Sequence, residues 1–407
     1  METFTNVLLV TANVGSLFNN VDEIQNGWLE ELYKTIRKNK PQFIALHFQE
    51  VGGKDYMVNM DKAESFFCNI ESSEEMKEFD RTCIYVDTQF QAEDSFTALG
   101  SMYFIHKTLK NIYHYDFNVK DFKAVVGQTK YVGSLDGVAT VEKEKFPKNF
   151  WPDFKWSRKG YMRTRWLIHN QGLDLVNIHL FHDASNLIAL NSSPSIYSAN
   201  RKNALKYVIN RLLDSRYVAM PFFLFGDFNF RLDTRTLVQC LTIEADVVKD
   251  VKDSNYEVER ITFEERDNDH QMLLQIEEKL FEYVHQAVFR EDNGSALLKY
   301  DKEVTPFLDA VREEDITFPP SYPYSEDHHK PRQYMNTRCP AWCDRILMSP
   351  NANDFINRRD YDGEGVVYNT IGPNVCMGDH KPQSDSLVFF GALQPVFLSF
   401  SLKTNNH

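Results

Sequence analysis

Six short apolar runs, residues 6–13, 42–49, 173–180, 221–228, 343–348 and 396–402, constrain the fold most, because each is bounded by polar turns and rich in Val, Ile, Leu and Phe. Runs of that length and content predict strands buried on both faces. Between the first two, Ile24, Trp28, Leu32 and Ile36 recur every four residues behind a candidate N-cap, Asp22, which predicts an amphipathic helix over 22–38. The same spacing predicts helices over 198–215 (Ala204, Leu205, Val208, Leu212) and 272–289 (Leu273, Ile276, Leu280, Val284). Strands interleaved with helices along the whole chain indicate an α/β layered fold. No repeat, Gly/Ser linker or low-complexity block divides it, and the polar stretches 71–80, 257–269 and 325–332 read as loops or exposed helix ends. A single domain over 1–407 is expected.

Composition narrows the function classes. Lys and Arg total 45 against 58 Asp and Glu, a net charge of −13, which argues against a general nucleic-acid binder with a basic face. Apolar residues make up 43% and charged ones 25%, enough for a sizeable core. Cys68, Cys83, Cys240, Cys339, Cys343 and Cys376 are too sparse for a disulfide framework, and the first residues lack a basic-then-apolar leader. A cytoplasmic setting is expected, with a peripheral position at the inner face of the plasma membrane as the other reading. The longest apolar stretch, 387–402, is interrupted by Gly391, Gln394 and Pro395 and falls short of the roughly 20 residues that a membrane span needs.

The chemistry sits where the apolar runs end. Asn13 follows VLLVTA, Gln49 and Glu50 follow FIALHF, Asn177 and His179 lie in LVNIHL, and Asp227 and Asn229 close FFLFGDFN. Asp344 opens CDRILM, and Asp379 and His380 follow Gly378 in GDHKP. Taken singly, each has an ordinary reading: a turn for Asn13, a core histidine for His179, a loop cap for Asp227. Six segments carrying the same acid, amide and imidazole chemistry at strand ends point instead to one rim, the usual place for a ligand site in a layered fold. A glutamate with amide and aspartate neighbours suits a hard cation such as Mg²⁺, with waters and phosphate oxygens completing its shell. Cys339 and Cys343 have no matching pair and read as packed thiols, not a zinc site. No phosphate-cradling GxxxxGK[ST] or GxGxxG loop is present.

Against this acidic background, KWSRKGYMRTRW concentrates Lys155, Arg158, Lys159, Arg163 and Arg165. Such a run is either a solvated face or a polyanion site with bidentate arginines. Each charge pair about 4 Å apart at an effective dielectric near 20 is worth roughly 4 kcal/mol before desolvation, so local charge can overcome the net repulsion.

Together TANVG, HFQE, VNIHL, GDFNFR, PAWCDRIL and GDHKP resemble the motifs of the Mg²⁺-dependent inositol polyphosphate 5-phosphatases, within the endonuclease/exonuclease/phosphatase superfamily. The likeness runs over residues 6–382, and KWSRKGYMRTRW, HLFHDASN, FPPSYPYSED and NTRCPAWCDRIL make it most similar to the type I branch. The resemblance implies a four-layer α/β sandwich, two mixed β-sheets flanked by helices. It implies removal of the 5-phosphate from soluble inositol polyphosphates, inositol 1,4,5-trisphosphate and inositol 1,3,4,5-tetrakisphosphate, which ends calcium-mobilising signals. In that reading Glu50 holds Mg²⁺, with Asn13 and Asp379 on the metal side. Asp227 orients and deprotonates the attacking water, and Asn229, Asn177 and His179 hold phosphate oxygens. Asp344 would pair with His380, and Lys159, Arg165, Arg231, Arg338, Lys381 and Tyr322 would bind the remaining phosphates. The expected partners are soluble inositol polyphosphates, with no nucleic acid, no stable membrane anchor and a monomeric chain. Two departures stand out: residues 383–395 look like an insertion before the last strand, and no prenylation cysteine ends the chain. A nuclease or sphingomyelinase of the same superfamily, and a catalytically silent inositol-phosphate scaffold, remain the alternative readings.

Overall fold

A computed structural model of the chain describes residues 4–18, 24–151, 157–251, 257–266, 269–325, 327, 329–358, 365–372 and 394–403. All six apolar runs are strands: Phe4–Asn13, Phe43–Gln49, Gln171–His179, Phe222–Asp227, Asp344–Met348 and Val396–Lys403. Two large sheets take them up. One runs Ile356–Asn357, Val396–Lys403, Phe4–Asn13, Phe43–Gln49, Gly100–His106, Phe79–Asp87, Gln128–Gly133. The other runs Arg312–Glu313, Asp344–Met348, Phe222–Asp227, Gln171–His179, Gly160–Ile168, Ile112–Asp116, Asp121–Ala124. Both are mixed, with Phe4–Asn13 parallel to Phe43–Gln49 in the first and Gln171–His179 parallel to Phe222–Asp227 in the second.

Side chains alternate between the two faces of each strand, and that alternation sorts the core. Val7, Leu9, Phe43 and Ala45 of the first sheet meet Leu173, Leu175, Phe223 and Phe225 of the second in one buried cluster. The intervening Leu8, Val10, Ile44 and Leu46 pack outward against Trp28 and Leu32 of helix Asn26–Asn39 and Phe66 and Phe67 of helix Tyr56–Glu71. Val176, Ile178 and Leu224 pack against Leu205, Val208 and Leu212 of helix Ile196–Leu213. Helix, sheet, sheet, helix is the expected four-layer order.

A polar seam crosses the interface between the sheets. Trp166 Nε1 donates to Thr164 Oγ1 at 2.9 Å, Thr164 Oγ1 donates to the Tyr103 hydroxyl at 2.9 Å, and that hydroxyl meets His47 Nε2 at 2.9 Å. His47 Nδ1 lies 3.3 Å from the Phe225 carbonyl, with the two rings stacked at 3.6 Å. The carbonyl can only accept, so Nδ1 carries the proton and Nε2 accepts from Tyr103: a neutral imidazole.

The structure departs from the sequence reading in several places. Residues 272–289 do not form a helix. They form the hairpin Met272–Glu277 and Leu280–Tyr283 followed by a short turn at Gln286–Phe289. Across the hairpin the buried Leu274 opposes Tyr283 and the buried Ile276 opposes Phe281, whereas Val284 of the supposed helical stripe is 47% exposed. The stretch 257–269 contains a strand, Val258–Glu265, rather than only loop, because Ile261 and Phe263 oppose Ile276 and Leu274. With Ala245–Val251 these strands make a third, four-stranded antiparallel sheet that the sequence did not announce. The first helix begins at Asn26 with no side-chain cap at Gln25, and the proposed cap Asp22 lies outside the described residues. Helix Ile196–Leu213 starts two residues earlier than read, capped by Ser195 Oγ accepting from the Tyr197 amide. Cys339 and Cys343 are buried free thiols, as expected. Of the anticipated insertion, residues 383–393 lie outside the described residues, while the Gln394 amide donates to the Ser321 carbonyl at 2.8 Å.

Burial drops two histidines, His47 and His114, to about 3, with the Phe225 carbonyl partly offsetting the fall at His47. In the unfolded chain they protonate near 6.5. Between roughly pH 6.5 and 3 the unfolded state therefore binds more protons, and stability rises with pH. Each histidine takes up to about 1.4 kcal/mol per pH unit inside that window. Urea unfolding of the wild type and of His114→Phe, which keeps the stack on Trp166 at 4.1 Å, should show stability falling from pH 7 to 5 with a shallower slope in the variant. Equal slopes would refute the neutral buried state.

Candidate active site

Strand alternation also decides which polar residues converge. Asn13, Gln49, Asn177, His179, Asp227 and Asp344 occupy the same inward-facing parity as the central core residues of their strands, at the ends where the apolar residues stop. Register aligns them: Asn13 is opposite Gln49, His179 opposite Asp227, and Asp227 opposite Asp344. A Cβ on Gly226 would lie 1.9 Å from the Ile178 carbonyl oxygen, so only glycine lets these strands close up just before Asp227.

Asp227 is the centre, 2% exposed. Its Oδ2 accepts from Asn13 Nδ2 at 3.1 Å and Asn229 Nδ2 at 3.0 Å and lies 3.2 Å from His179 Nε2, while Oδ1 accepts from the Asn229 amide at 2.9 Å. Burial works to raise this carboxyl, but the hydrogen bond and charge of His179, with Lys159 and Asn13, outweigh it and hold it at about 2. Glu50, one residue past its strand and in left-handed backbone at φ 56°, points its Oε1 at His179 Nε2 (3.6 Å) and Lys159 Nζ (3.7 Å). Burial opposes ionisation there too, and Lys159, Arg158 and His179 together keep the carboxyl below its ordinary value. Lys159 also contacts His179 Nε2 directly, and burial pulls its ammonium down to about 8 against the fields of Glu50 and Asp227. Burial and the Lys159 charge lower His179 as well. Asp344, next to Asp227 in the register, goes the other way: burial first, then the Asp227 charge, raise it well above a normal carboxyl. Its Oδ2 accepts from Ser321 Oγ at 3.2 Å, and its Oδ1 has no partner among the described residues.

A hard cation has a cradle here. A Cβ on Gly15 would sit 2.9 Å from Glu50 Oε2 and 3.3 Å from Asn13 Oδ1, so two oxygen donors of the two loops face the space that glycine leaves. The donors are oxygen, not sulfur, and few, which fits a cation that keeps waters and substrate oxygens in its shell. Among the described residues no three His, Cys, Asp or Glu side chains form a closed cage.

Several expected residues do other work. Asn177 does not reach the rim: its Nδ2 donates to the Phe48 and Gly100 carbonyls and to Ser101 Oγ, and its Oδ1 accepts from Gln49 Nε2 at 2.8 Å. It joins the two sheets beneath the site and has no atom left for a phosphate. Arg165 is likewise misassigned, because its Nε and Nη2 hold Asp174 at 2.7 and 3.0 Å inside the second sheet, five residues along the strand from His179, with Arg163 on the same carboxylate at 2.8 Å. The arginines of the basic run are therefore split between core and rim. Arg338 donates to the carbonyls of Asp183, Ala184, Glu278 and Thr337. Arg231 does reach the cluster, donating Nη2 to Asn229 Oδ1 at 2.8 Å over the ring of Tyr322 at 4.4 Å, and its Nε and Nη1 are buried with no partner among the described residues. Asp379, His380 and Lys381 lie outside the described residues.

Sequence reasoning left Arg158 without a role. Its Nη1 donates to the Gly53 carbonyl at 2.8 Å, Nη2 lies 4.0 Å from Glu50 Oε2, and its guanidinium stands 5.0 Å from the Tyr56 ring centroid. It ties the loop after Glu50 to the opposite sheet. Its position beside Lys159 in the basic run was the available signal.

Residues 10–385 match the Endonuclease/Exonuclease/phosphatase family 2. Inositol polyphosphate-5-phosphatase A of Homo sapiens is 52% identical over 378 residues, covering 93% of this chain and 92% of that protein. The probable type I inositol 1,4,5-trisphosphate 5-phosphatase of Caenorhabditis elegans is 35% identical over 409 residues, covering 92% and 97%. Among solved structures, the inositol polyphosphate 5-phosphatase domain of SPsynaptojanin, in complex with inositol (1,4)-bisphosphate and calcium ion, aligns with TM-score 0.53 at 13% identity over 99% of this chain and 85% of that one. That likeness concerns the fold.

Asn177→Ala leaves buried carbonyls and the Gln49 amide without partners, each worth about 1–3 kcal/mol. Chemical denaturation should show a loss of at least about 2 kcal/mol, and a change under half that would refute its part in joining the sheets.

Proposed function

The chain belongs to the inositol polyphosphate 5-phosphatases of the endonuclease/exonuclease/phosphatase family 2, and from that premise we propose that it hydrolyses the 5-phosphate of inositol 1,4,5-trisphosphate and inositol 1,3,4,5-tetrakisphosphate with Mg²⁺ as its cofactor. The observation that carries this reading is the convergence of Glu50, Lys159, His179 and Asp227 from both sheets: Glu50 reaches His179 at 3.6 Å and Lys159 at 3.7 Å, and His179 contacts Lys159 and lies 3.2 Å from Asp227. Glu50 and the Asn13 amide oxygen would hold the cation, which as a Lewis acid supports charge developing on the phosphoryl oxygens.

The chain's own groups divide the remaining work. Asp227, ionised at neutral pH and fixed by four donors, accepts a hydrogen bond from the attacking water and aims it at phosphorus. Its depressed pKa makes it a stronger orienting group than base. His179, Asn229 and Lys159 surround the phosphate, and the two unpartnered donors of Arg231 suit a further phosphate oxygen. Carried over from the family motif, Asp379, His380 and Lys381 would complete the site, with Asp344 as the partner of His380. Water adds to phosphorus as the bond to the inositol oxygen breaks, and that oxygen takes a proton, giving inorganic phosphate and a ring hydroxyl. The reading extends to one catalytic domain over the whole chain, working as a monomer in the cytoplasm. No helix among the described residues is long and apolar enough to cross a membrane.

Phosphate release from inositol 1,4,5-trisphosphate, followed colorimetrically, should require Mg²⁺ and stop in EDTA; undiminished release in chelator would refute the metal-dependent mechanism. A short oligonucleotide in the same assay should not be cleaved. Asp227→Asn should lower kcat by about 10² to 10⁴ while calorimetry still detects substrate binding. In a paired comparison, Arg231→Met should raise KM with little loss of stability, and Arg165→Met should lower the unfolding temperature with KM unchanged. The reverse pattern would return Arg165 to the site.

A further inference from the structure

The third sheet has two outer edges that the chain treats differently. Strand Leu280–Tyr283 is tied to the body: the Phe281 amide donates to the Asn336 carbonyl at 2.8 Å, and Asn336 Nδ2 donates to Glu282 at 3.1 Å. The opposite edge, Ala245–Val251, has no strand beyond it among the described residues. All its residues after Ala245 are exposed, with Val247, Val248 and Val251 at 50%, 44% and 43%. Natural sheets blunt free edges by shortening them, by proline or by dense charge. This strand has seven residues and no proline, carries Asp246, Lys249 and Asp250, leaves valines exposed on both faces, and has its one irregularity at the far end, between Asp250 and Val251. From this edge we infer a docking strand that takes an extended, basic segment of a partner protein by strand addition.

Charge selects that partner over a second copy. The outer two strands read ADVVKDV and VERITFEE, with acids outnumbering bases, although Arg266 and Arg260 reach Asp246 and Asp250 at 2.8 and 3.4 Å. Antiparallel pairing of the edge with itself would set Asp246 against Asp250 when centred on Val248 and lysine against lysine when centred on Lys249; the register centred on Val247 avoids both, and sedimentation tests it. Like charges directly opposite destabilise a ladder. A segment with basic residues two on either side of an apolar one places its cations opposite Asp246 and Asp250 and its apolar side chain over Val248. Its main-chain groups take up the free edge. This inference is independent of the proposed catalysis, since the sheet lies outside both large sheets.

The test uses the full chain and a short fluorescent peptide alternating lysine and valine, read by anisotropy. Saturable binding is expected. Methylation of alternate peptide amides along one edge, which removes main-chain donors and keeps charge, should weaken it by about tenfold or more, and Glu-for-Lys replacement should abolish it. Asp246→Asn with Asp250→Asn should also weaken it, while phosphate release stays unchanged as evidence of an intact fold. Hydrogen exchange at residues 245–251 should slow on binding. Absence of binding, equal binding of the methylated peptide, or a dimer in sedimentation that protects the same amides would each overturn the inference.

Discussion

Asn177 is the point on which the site depends. It belongs to the second sheet, yet every polar atom of its side chain is bonded to the first: to the Phe48 and Gly100 carbonyls, to Ser101 and to Gln49. Two apolar sheet faces can slide against each other at little cost, because hydrophobic burial is not directional. A fully satisfied buried amide cannot, since any slip leaves it and its partners unpaired in a low-dielectric interior. Asn177 and the His47–Tyr103–Thr164 seam thus fix the relative position of the two strand pairs whose ends carry Asn13, Glu50, His179 and Asp227. The precision of the site is a consequence of what lies beneath it.

Above that floor, two adjacent buried carboxylates are kept in opposite states. Asp227 receives four donors and stays ionised, while Asp344, with one hydroxyl donor and an ionised neighbour, is pushed toward its neutral form. Burial and a like charge nearby both disfavour ionising the second carboxyl. The same logic explains how a chain of net charge −13 can serve a polyanion. Its rim gathers Lys159, Arg158 and Arg231, and other arginines neutralise acids in the interior, as Arg165 and Arg163 do on Asp174 and Arg201 does on Asp183 and Glu303.

The legibility of the sequence followed the physics of each element. Strands of the two large sheets are buried on both faces, so their apolar runs stand out whatever surrounds them, and all six were found. The third sheet buries one face only, and its hairpin at Met272–Tyr283 offers Leu273, Ile276, Leu280 and Val284 at helical spacing by coincidence. Periodicity alone could not choose, because the partner strand that settles the matter, Val258–Glu265, reads as a polar loop.

Residue type and strand-end position, both local properties, sufficed to nominate Asn13, Glu50, His179, Asp227 and Asn229, and the motif set was enough for the family. The sequence by itself determined the family and nominated acids, amides and imidazoles at the strand ends. Tertiary structure alone decided which nominees face the rim. Arg165, Arg338 and Asn177 have the right chemistry, but Arg165 is engaged by Asp174 of the neighbouring strand, Arg338 by the carbonyls of Asp183, Ala184, Glu278 and Thr337, and Asn177 by the facing sheet. A side chain's role is set by the partner that fills its hydrogen-bonding capacity, and pairing across sheets and loops leaves no trace in local order.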